Sequence, residues 1–437
     1  MNQKPQPLFD TYKTFMALFD PELKVPEDDG QTQYVAERPA IAEYLDSMPA
    51  SASAHSDMEH VRNFLKSYSG LETTFRGYRT QVERLMLWSW LKKEKSILDL
   101  TRSDAEDFMR FILSPDPEWI GTSVRDRFIK AGEIFEPNPM WRPFGIQAKK
   151  SLMKEIAEGK RSVAAIPDEY KPAQGSVRQV FAICSSFYDF ANADGFGKGN
   201  PFRAIKQKST FVTRQKKKSA GRALSKLQWD FVIETAEQMA AEDPTRHERT
   251  LFILVTIFSM YLRVSDLVGN KNWTPTMGAF FRSGENWWMS IVGKGNKQAE
   301  ISVRPDYLPY LARYRATRNL TPMPGHEEDT PLLTKLNGEP GLTDRQIRSI
   351  IQQVFDRALD RMKSEGFPEH EIGELRQASL HWLRHTSATF DAPHRDIKHL
   401  QADMRHENMS TTQDIYYNTD DKERAASMSK RSIRDIA

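Results

Sequence analysis

HWLRHTSATF at residues 381–390 and RHENMSTTQDIYYNTD at residues 405–420 bring His381, Arg384, His406 and Tyr416 close together near the C-terminus. A tyrosine that attacks a phosphate needs a base to take its proton, cations for the charge that develops, and a fixed approach. These two segments supply each of them. On a helix His381 and Arg384, three positions apart, share a face. An imidazole beside a guanidinium is costly to bury without an anion, and a phosphate oxygen relieves the repulsion. The plainer reading is a histidine satisfied by a backbone carbonyl beside an exposed arginine, and His385 fits that description. Thr411 and Thr412 are placed to cap a short helix that turns Tyr416 or Tyr417 toward the same spot. A tyrosine pair at this spacing is more often packing than nucleophile, and one of the two is read so.

Upstream, Arg263 stands in YLRVSDL directly after the apolar run LFILVTIFSM, residues 251–260. Alone, such an arginine would cap carbonyls or pair with an acid such as Asp266. Further on the period changes to two: Trp288, Ser290 and Val292, a turn at GKGNK, then Glu300, Ser302 and Arg304 facing opposite Ile301 and Val303. This predicts a hairpin with Lys294 at its tip, where Gly293 and Gly295 allow a tight turn and close approach to a ligand. An ammonium there can deliver a proton to a leaving oxygen. By itself GKGNK is a common hairpin string. The spacing predicts helices after an N-cap at Ser225, through residues 251–263, at Thr343 to Ser364, around Ser379 to Phe390, and at Ile397 to Met404.

The N-terminal half is patterned differently. Residues 1–58 are acidic and rich in Pro and Ser, with 11 Asp or Glu against 4 Lys or Arg over residues 1–60, and read as a loosely folded arm with a short helix at Ile41 to Ser47. Apolar residues at spacings of three and four (Val61, Phe64 and Leu65; Tyr78, Val82, Leu85, Met86 and Trp90; Phe108, Phe111 and Ile112) then predict amphipathic helices. Thr101 and Asp104 make an N-cap region for the third. Prolines from Pro115 to Pro172 break the pattern over residues 114–172, an insertion with some helix near Ile146 to Glu158. A further helix, Ser176 to Ala193, stops at DGFGKGNP. Cys184 lies among Phe181, Ile183 and Phe187, as on a packed helix face.

At 437 residues, with 39% hydrophobic and 28% charged residues, the composition is that of a globular chain of two or three domains. The N-terminus has no basic and apolar leader, and no apolar run approaches a membrane span, so an intracellular, cytoplasmic protein is expected. One cysteine allows no internal disulfide, and Cys or His pairs at zinc spacing are missing. A net charge of +3 is weak evidence of nucleic acid, but Arg203 to Arg222 holds 8 Lys or Arg and no acid, as contact with a phosphate backbone favours. A solvated linker would look the same.

Taken together these segments resemble the tyrosine recombinase, or phage integrase, family, whose chemistry is that of type IB topoisomerases. YLRVSDLVG resembles its first arginine box, VGKGNKQAEISV its lysine hairpin, HWLRH its His-x-x-Arg-His box, and RHENMSTTQDIYYNTD its terminal His and Tyr segment, all in family order. The likeness is strong over residues 222–425 and weaker over 60–205, where Ser69 to Pro201 resembles the core-binding domain, with its ending GNPF. It implies a mainly α fold with a small antiparallel sheet in the catalytic domain, arranged as a two-domain DNA clamp. The divisions are an arm at 1–58, a helical core-binding domain at 59–205, a basic linker at 206–222, a catalytic domain at 223–419 and a tail at 420–437.

By the same resemblance Arg263 and Arg384 clamp the non-bridging phosphate oxygens, Lys294 is the general acid, His381 a general base or proton shuttle, His406 a hydrogen-bond donor to the phosphate, and Tyr416 the nucleophile. Tyr416 is preferred to Tyr417 because Asn418 then occupies the last place of the family's Tyr-x-His pattern. The implied activity is DNA strand cleavage and rejoining through a 3′-phosphotyrosyl bond, as in integration or excision of a mobile element, without cofactor or metal. The implied partners are double-stranded DNA, a homotetramer on two DNA sites and accessory DNA-bending proteins, with no membrane. Arg76, Arg79, Arg84, Lys92, Lys93, Trp141, Arg142, Arg203 and Lys206 are candidate DNA contacts. The rival readings are a DNA-binding or architectural protein that keeps the fold without recombining, and a metal-dependent nuclease using His381, His385 and His406. Two departures stand out: Arg405 where the family usually has Gly before the terminal histidine, and Pro393 where members usually run through a helix.

Overall fold

The computed structural model describes residues 3–17, 38–123, 125–132, 134–146, 150–157, 159, 162, 169–211, 223–270, 273–293, 297–325, 327–406 and 412. The chain divides into two compact units, Met1–Lys216 and Lys217–Ala437. It is mainly α with small sheets, as the resemblance implies.

In the first unit the helices are α1 (Tyr12–Ala17), α2 (Pro39–Asp46), α3 (Ala54–Lys66), α4 (Glu72–Trp88), α5 (Arg102–Leu113), α6 (Lys150–Ala157), α7 (Gln174–Ala193) and α8 (Pro201–Ala204). Helix α5 starts where its sequence requires: Thr101 accepts from the Asp104 amide, and the Asp104 carboxylate accepts from the Thr101 amide. Val61, Phe64, Val82, Leu85, Phe108 and Ile112 are buried in one core with Val177, Cys184 and Phe187 of α7. Cys184 is therefore a packed side chain, its thiol pushed up by burial.

Within residues 1–58 the described parts are not loosely held. Leu8, Phe9, Phe15, Ile41 and Leu45 are buried in that same core. Their amides and charges are met as well: Glu83 accepts from the Leu8 amide at 2.7 Å, and Asp10 pairs with buried Arg38 at 2.7 Å. The acidic composition hid a short apolar set spaced too irregularly to show a period. In the insertion, helix α6 falls where some helix was expected, and two small pairings accompany it: β1 (Ile120–Gly121) with β4 (Phe144–Gly145), parallel, and β2 (Phe128–Ala131) with β3 (Ile134–Pro137), antiparallel.

Three of the side chains proposed as DNA contacts turn inward. Arg84 donates to the Pro143 carbonyl at 2.9 and 2.6 Å and lies over the Phe144 ring. Arg79, buried, donates to the Asp10 carbonyl, and Trp141 is buried beneath the Arg127 guanidinium. These three hold the insertion and the N-terminal segment to α4, and a surface role for them is withdrawn. Arg76 and Arg203 stay exposed, paired with Glu72 and Asp189.

The second unit contains α9 (Lys226–Glu242), α10 (Pro244–Ser259), α11 (Val264–Val268), a sheet in the order β5 (Phe280–Ser283), β6 (Asn286–Val292), β7 (Gln298–Ser302), then α12 (Leu308–Ala316), α13 (Asp344–Ser364), α14 (Glu369–Gln377), α15 (Leu380–Asp391) and α16 (Ile397–Met404). Capping boxes open α9 at Ser225/Gln228 and α13 at Thr343/Gln346, each worth about 1 kcal/mol. Helix α10 is buried along almost its whole length, as its all-round apolar sequence implies. The hairpin pairs Met289 with Ile301 and Ile291 with Ala299, and Met289, Ile291 and Ile301 face the core. Among the described residues no helix is long and apolar enough to cross a membrane.

Candidate active site

Helix α10 ends earlier than its apolar run predicts. After Ser259 the chain turns at Tyr261, which has a left-handed backbone with φ 51°. A tyrosine is held there only if its surroundings compensate the strain. They do: its ring is buried with Ala388, Ala392, Leu400 and Met404, a small core between α15 and α16. Its hydroxyl donates to Asp391 and accepts from Arg395 at 3.0 Å and from Arg304 at 3.3 Å. Burial, then the Asp391 carboxylate, push that hydroxyl up to about 12. Arg304 also reaches Ser387 at 3.1 Å, and Arg395 with Ser302 grips Asp403 of α16, both at 2.6 Å. Strand β7 and helices α15 and α16 are thereby fastened around the end of α10.

The turn at Tyr261 frees its carbonyl, which Arg384 of α15 takes at 2.5 Å. The other arm of the same guanidinium donates to the Met404 carbonyl at the end of α16. Arg384 is 2% exposed, so its planar fork crosslinks two chain ends that lie two residues before Arg263 and two before His406. Arg263 itself begins α11, where the Asp266 carboxylate accepts its amide at 2.7 Å. The half-buried Arg263 guanidinium makes no hydrogen bond to an acceptor among the described residues, and burial, then Arg405, lower its pKa.

His406 faces these cations. Burial, then Arg384, Arg263 and Arg405, hold its pKa down to about 4. Its imidazole is therefore neutral near pH 7, with Nδ1 at 2.9 Å from the hydroxyl of buried Thr412. A threonine hydroxyl that donates to Nδ1 leaves the proton on Nε2, the form that can donate to an anion. Thr411 and Thr412 were expected to cap a short helix whose residues lie outside the described ones; the Thr412 hydroxyl meets the histidine.

His381 lies one turn before Arg384 on α15, exposed, with its Nε2 at 3.0 Å from Nε2 of His385 and the two rings perpendicular. His385 is thus a partner of His381. Lys294, Tyr416 and Tyr417 lie outside the described residues, as do Gly295, Thr411, Asn418 and the tail at 420–437. The described hairpin ends at Gly293, whose amide donates to the Lys297 carbonyl at 2.8 Å.

Three guanidiniums, Arg384, Arg263 and Arg405, lie near the neutral His406 imidazole, and Asp266 takes the Arg405 fork, so among the described residues the spot has a surplus of positive charge. Such a spot suits a phosphate diester, and the strict fork of arginine suits its two non-bridging oxygens. Among the described residues no three His, Cys, Asp or Glu gather as a metal cage. The sequence did not single out Tyr261, Arg304, Arg395 or Asp403, because their roles depend on contacts between distant segments. Asp266 was foreseen as a partner for Arg263, yet its carboxylate takes the Arg263 amide and the Arg405 guanidinium.

No family model and no curated protein sequence matches this chain. Solved structures do. A XerH site-specific recombinase bound to palindromic difH substrate, in a post-cleavage complex, is similar over 96% of this chain and 93% of that one, at 12% identity and a TM-score of 0.53. The integrase of the Tn1549 transposon in complex with transposon right end DNA aligns over 85% of this chain and 98% of its own, at 16% identity and a TM-score of 0.46. The likeness to the first is one of fold: the chain is folded as a site-specific recombinase is.

Proposed function

From that fold and this cluster we propose that the protein breaks and rejoins double-stranded DNA as a tyrosine-type site-specific recombinase. The observation that carries the reading is the buried Arg384 fork, which joins the segments bearing Arg263 and His406 into one cationic spot. In the proposed reaction the Tyr416 oxygen attacks a backbone phosphorus while His381 takes its proton. The P–O5′ bond breaks, and Lys294 gives a proton to the departing 5′ oxygen. The products are a 3′-phosphotyrosyl bond and a 5′-hydroxyl. The reverse attack by another strand's 5′-hydroxyl completes rejoining, so the phosphoester bond is conserved and no ATP or metal enters the balance.

The energetics favour catalysis over mere binding. A phosphodiester carries one negative charge and its five-coordinate transition state about two, so Arg263, Arg384 and the Nε2 proton of His406 bind the latter more strongly. Two duplexes exchanging strands call for a homotetramer with DNA-bending partners, and integration or excision of a mobile element is the role proposed.

The test is a nicked suicide duplex from which the 5′ product escapes. Wild type should leave a protein–DNA adduct that survives denaturant and excess chelator, and Tyr416→Phe should abolish it while Tyr417→Phe does not. Sequencing the trapped DNA gives site and polarity. Binding without any adduct would instead favour a DNA-binding or architectural protein, and cleavage abolished by chelator would favour a metal-dependent nuclease.

A further inference from the structure

Arg405 occupies a position where the backbone is left-handed, φ 54°, directly after α16. Glycine enters that region freely and arginine does so under strain. Ending the helix therefore does not require an arginine, and its side chain is occupied elsewhere. The guanidinium folds back onto Asp266, with Nη1 donating to Oδ1 at 3.2 Å and Nη2 to Oδ2. The two side chains are 11% and 1% exposed. The same Asp266 Oδ2 accepts the Arg263 amide at 2.7 Å. One carboxylate thus holds both the backbone of Arg263 and the residue next to His406.

A third segment meets this pair. A Cβ added at Gly293 would lie 3.3 Å from Arg405 Nη1, so the backbone closing the β6–β7 hairpin rests against the guanidinium itself. Arg405 also stands close enough to Arg263 and His406 to lower the pKa of each. A third cation placed among like charges, on a strained backbone, persists only where the surroundings over-determine it.

We propose that Arg405 is a positioning residue of this site: its fork, gripped by Asp266 and roofed by Gly293, sets the placement of the Arg263 segment and the hairpin relative to His406. The proposal rests on the strand-cleavage reading above for its consequence, though not for its geometry. Misplacing reacting groups by about 1 Å costs on the order of a hundredfold in rate. Arg405 is not assigned contact with the reacting atoms.

The full chain would be compared with Arg405→Gly and Arg405→Lys. Glycine suits the left-handed backbone, so Arg405→Gly should fold, with a lower urea midpoint because buried Asp266 loses its guanidinium partner. Its single-turnover adduct formation on the nicked duplex should fall roughly tenfold to a hundredfold, with DNA affinity within about threefold because many other phosphate-binding groups share the hold on the duplex. His406 is flanked by Arg384 from α15, Arg263 at the start of α11, Arg405 on its own segment and Thr412, with Asp266 behind. Loss of one of these cations should move its titration, read by NMR, up toward the ordinary imidazole range. Arg405→Lys keeps the charge and loses the fork, so the titration should stay low while the rate stays reduced.

A rate within about twofold of wild type in Arg405→Gly, or its full recovery in Arg405→Lys, would overturn the proposal. If wild type forms no adduct, strand cleavage is refuted. The positioning claim is then decided by NMR alone: the Gly293 amide signal and the His406 titration both shifting in Arg405→Gly sustain it, and both unmoved overturn it.

Discussion

Arg263 and Arg384 carry the same charge toward the same spot, yet the protein uses them differently. Arg384 satisfies two carbonyls at the ends of α10 and α16. Arg384→Ala leaves both unpaired, at about 1–3 kcal/mol each, so its unfolding midpoint in urea should drop well below wild type along with its cleavage rate. Arg263 has no such duty among the described residues. Arg263→Ala should cut adduct formation by roughly a hundredfold or more with an almost unchanged urea midpoint; a large loss of stability would show that its guanidinium serves the fold. His406 offers a second check. Its folded pKa, about 4, lies below the ordinary imidazole value, so between roughly pH 6.5 and 4 the unfolded chain binds the extra proton. The associated stability is fully present above that range and lost as pH falls through it. The same imidazole should stay neutral in the free protein at pH 5.5 and gain a proton when DNA phosphate offsets the surrounding cations. A His406 NMR titration unmoved by DNA would place the phosphate elsewhere.

At the scale of elements, what the sequence displayed was whatever depends on neighbours along the chain. The stripes at Val61, Phe64 and Leu65 and at Val82, Leu85 and Met86, the caps at Thr101 and Ser225, and the alternation through Trp288, Ser290 and Val292 and through Glu300, Ile301 and Ser302 all became helices or strands as their periods imply. Hidden were features decided by distant partners. Nothing local in LFILVTIFSMYLR ends the helix at Ser259; the Tyr261 ring is drawn into a pocket made by α15 and α16. Nor does local spacing reveal that Arg84 serves the Pro143 carbonyl or that Leu8 and Phe9 belong to a core. The Tyr261 hydroxyl gives a direct measure of that tertiary control. Tyr261→Phe keeps the ring but leaves Arg304, Arg395 and Asp391 around a missing partner, costing about 1–3 kcal/mol. Because this network fastens α16, adduct formation should fall as well, while Arg384 keeps its carbonyl. A variant as stable and as fast as wild type would show the network to be idle.

On the scale of the whole molecule, charge is distributed where cores are not. Each unit has its own hydrophobic core, and Ile205 and Phe211, ahead of the second unit, are buried in the first. Yet Arg203 to Arg222 holds 8 Lys or Arg and no acid in a chain whose net charge is only +3. The charges of such a segment add little to folding and much to attraction for a polyphosphate, since each neutralised phosphate releases counterions. Replacing Lys206, Lys208, Lys216 and Lys217 by Gln should therefore leave the urea midpoint within about 0.5 kcal/mol of wild type. Affinity for duplex DNA should weaken for every sequence alike, and the slope of log K against log salt should become shallower by about 0.9 for each phosphate that is no longer neutralised. Fluorescence anisotropy from low to moderate salt measures both quantities. An unchanged slope would make this stretch a solvated connector with no hold on DNA. A changed slope with an unchanged rate for DNA already bound would separate the gripping of the duplex from the chemistry proposed at Arg263, Arg384 and His406.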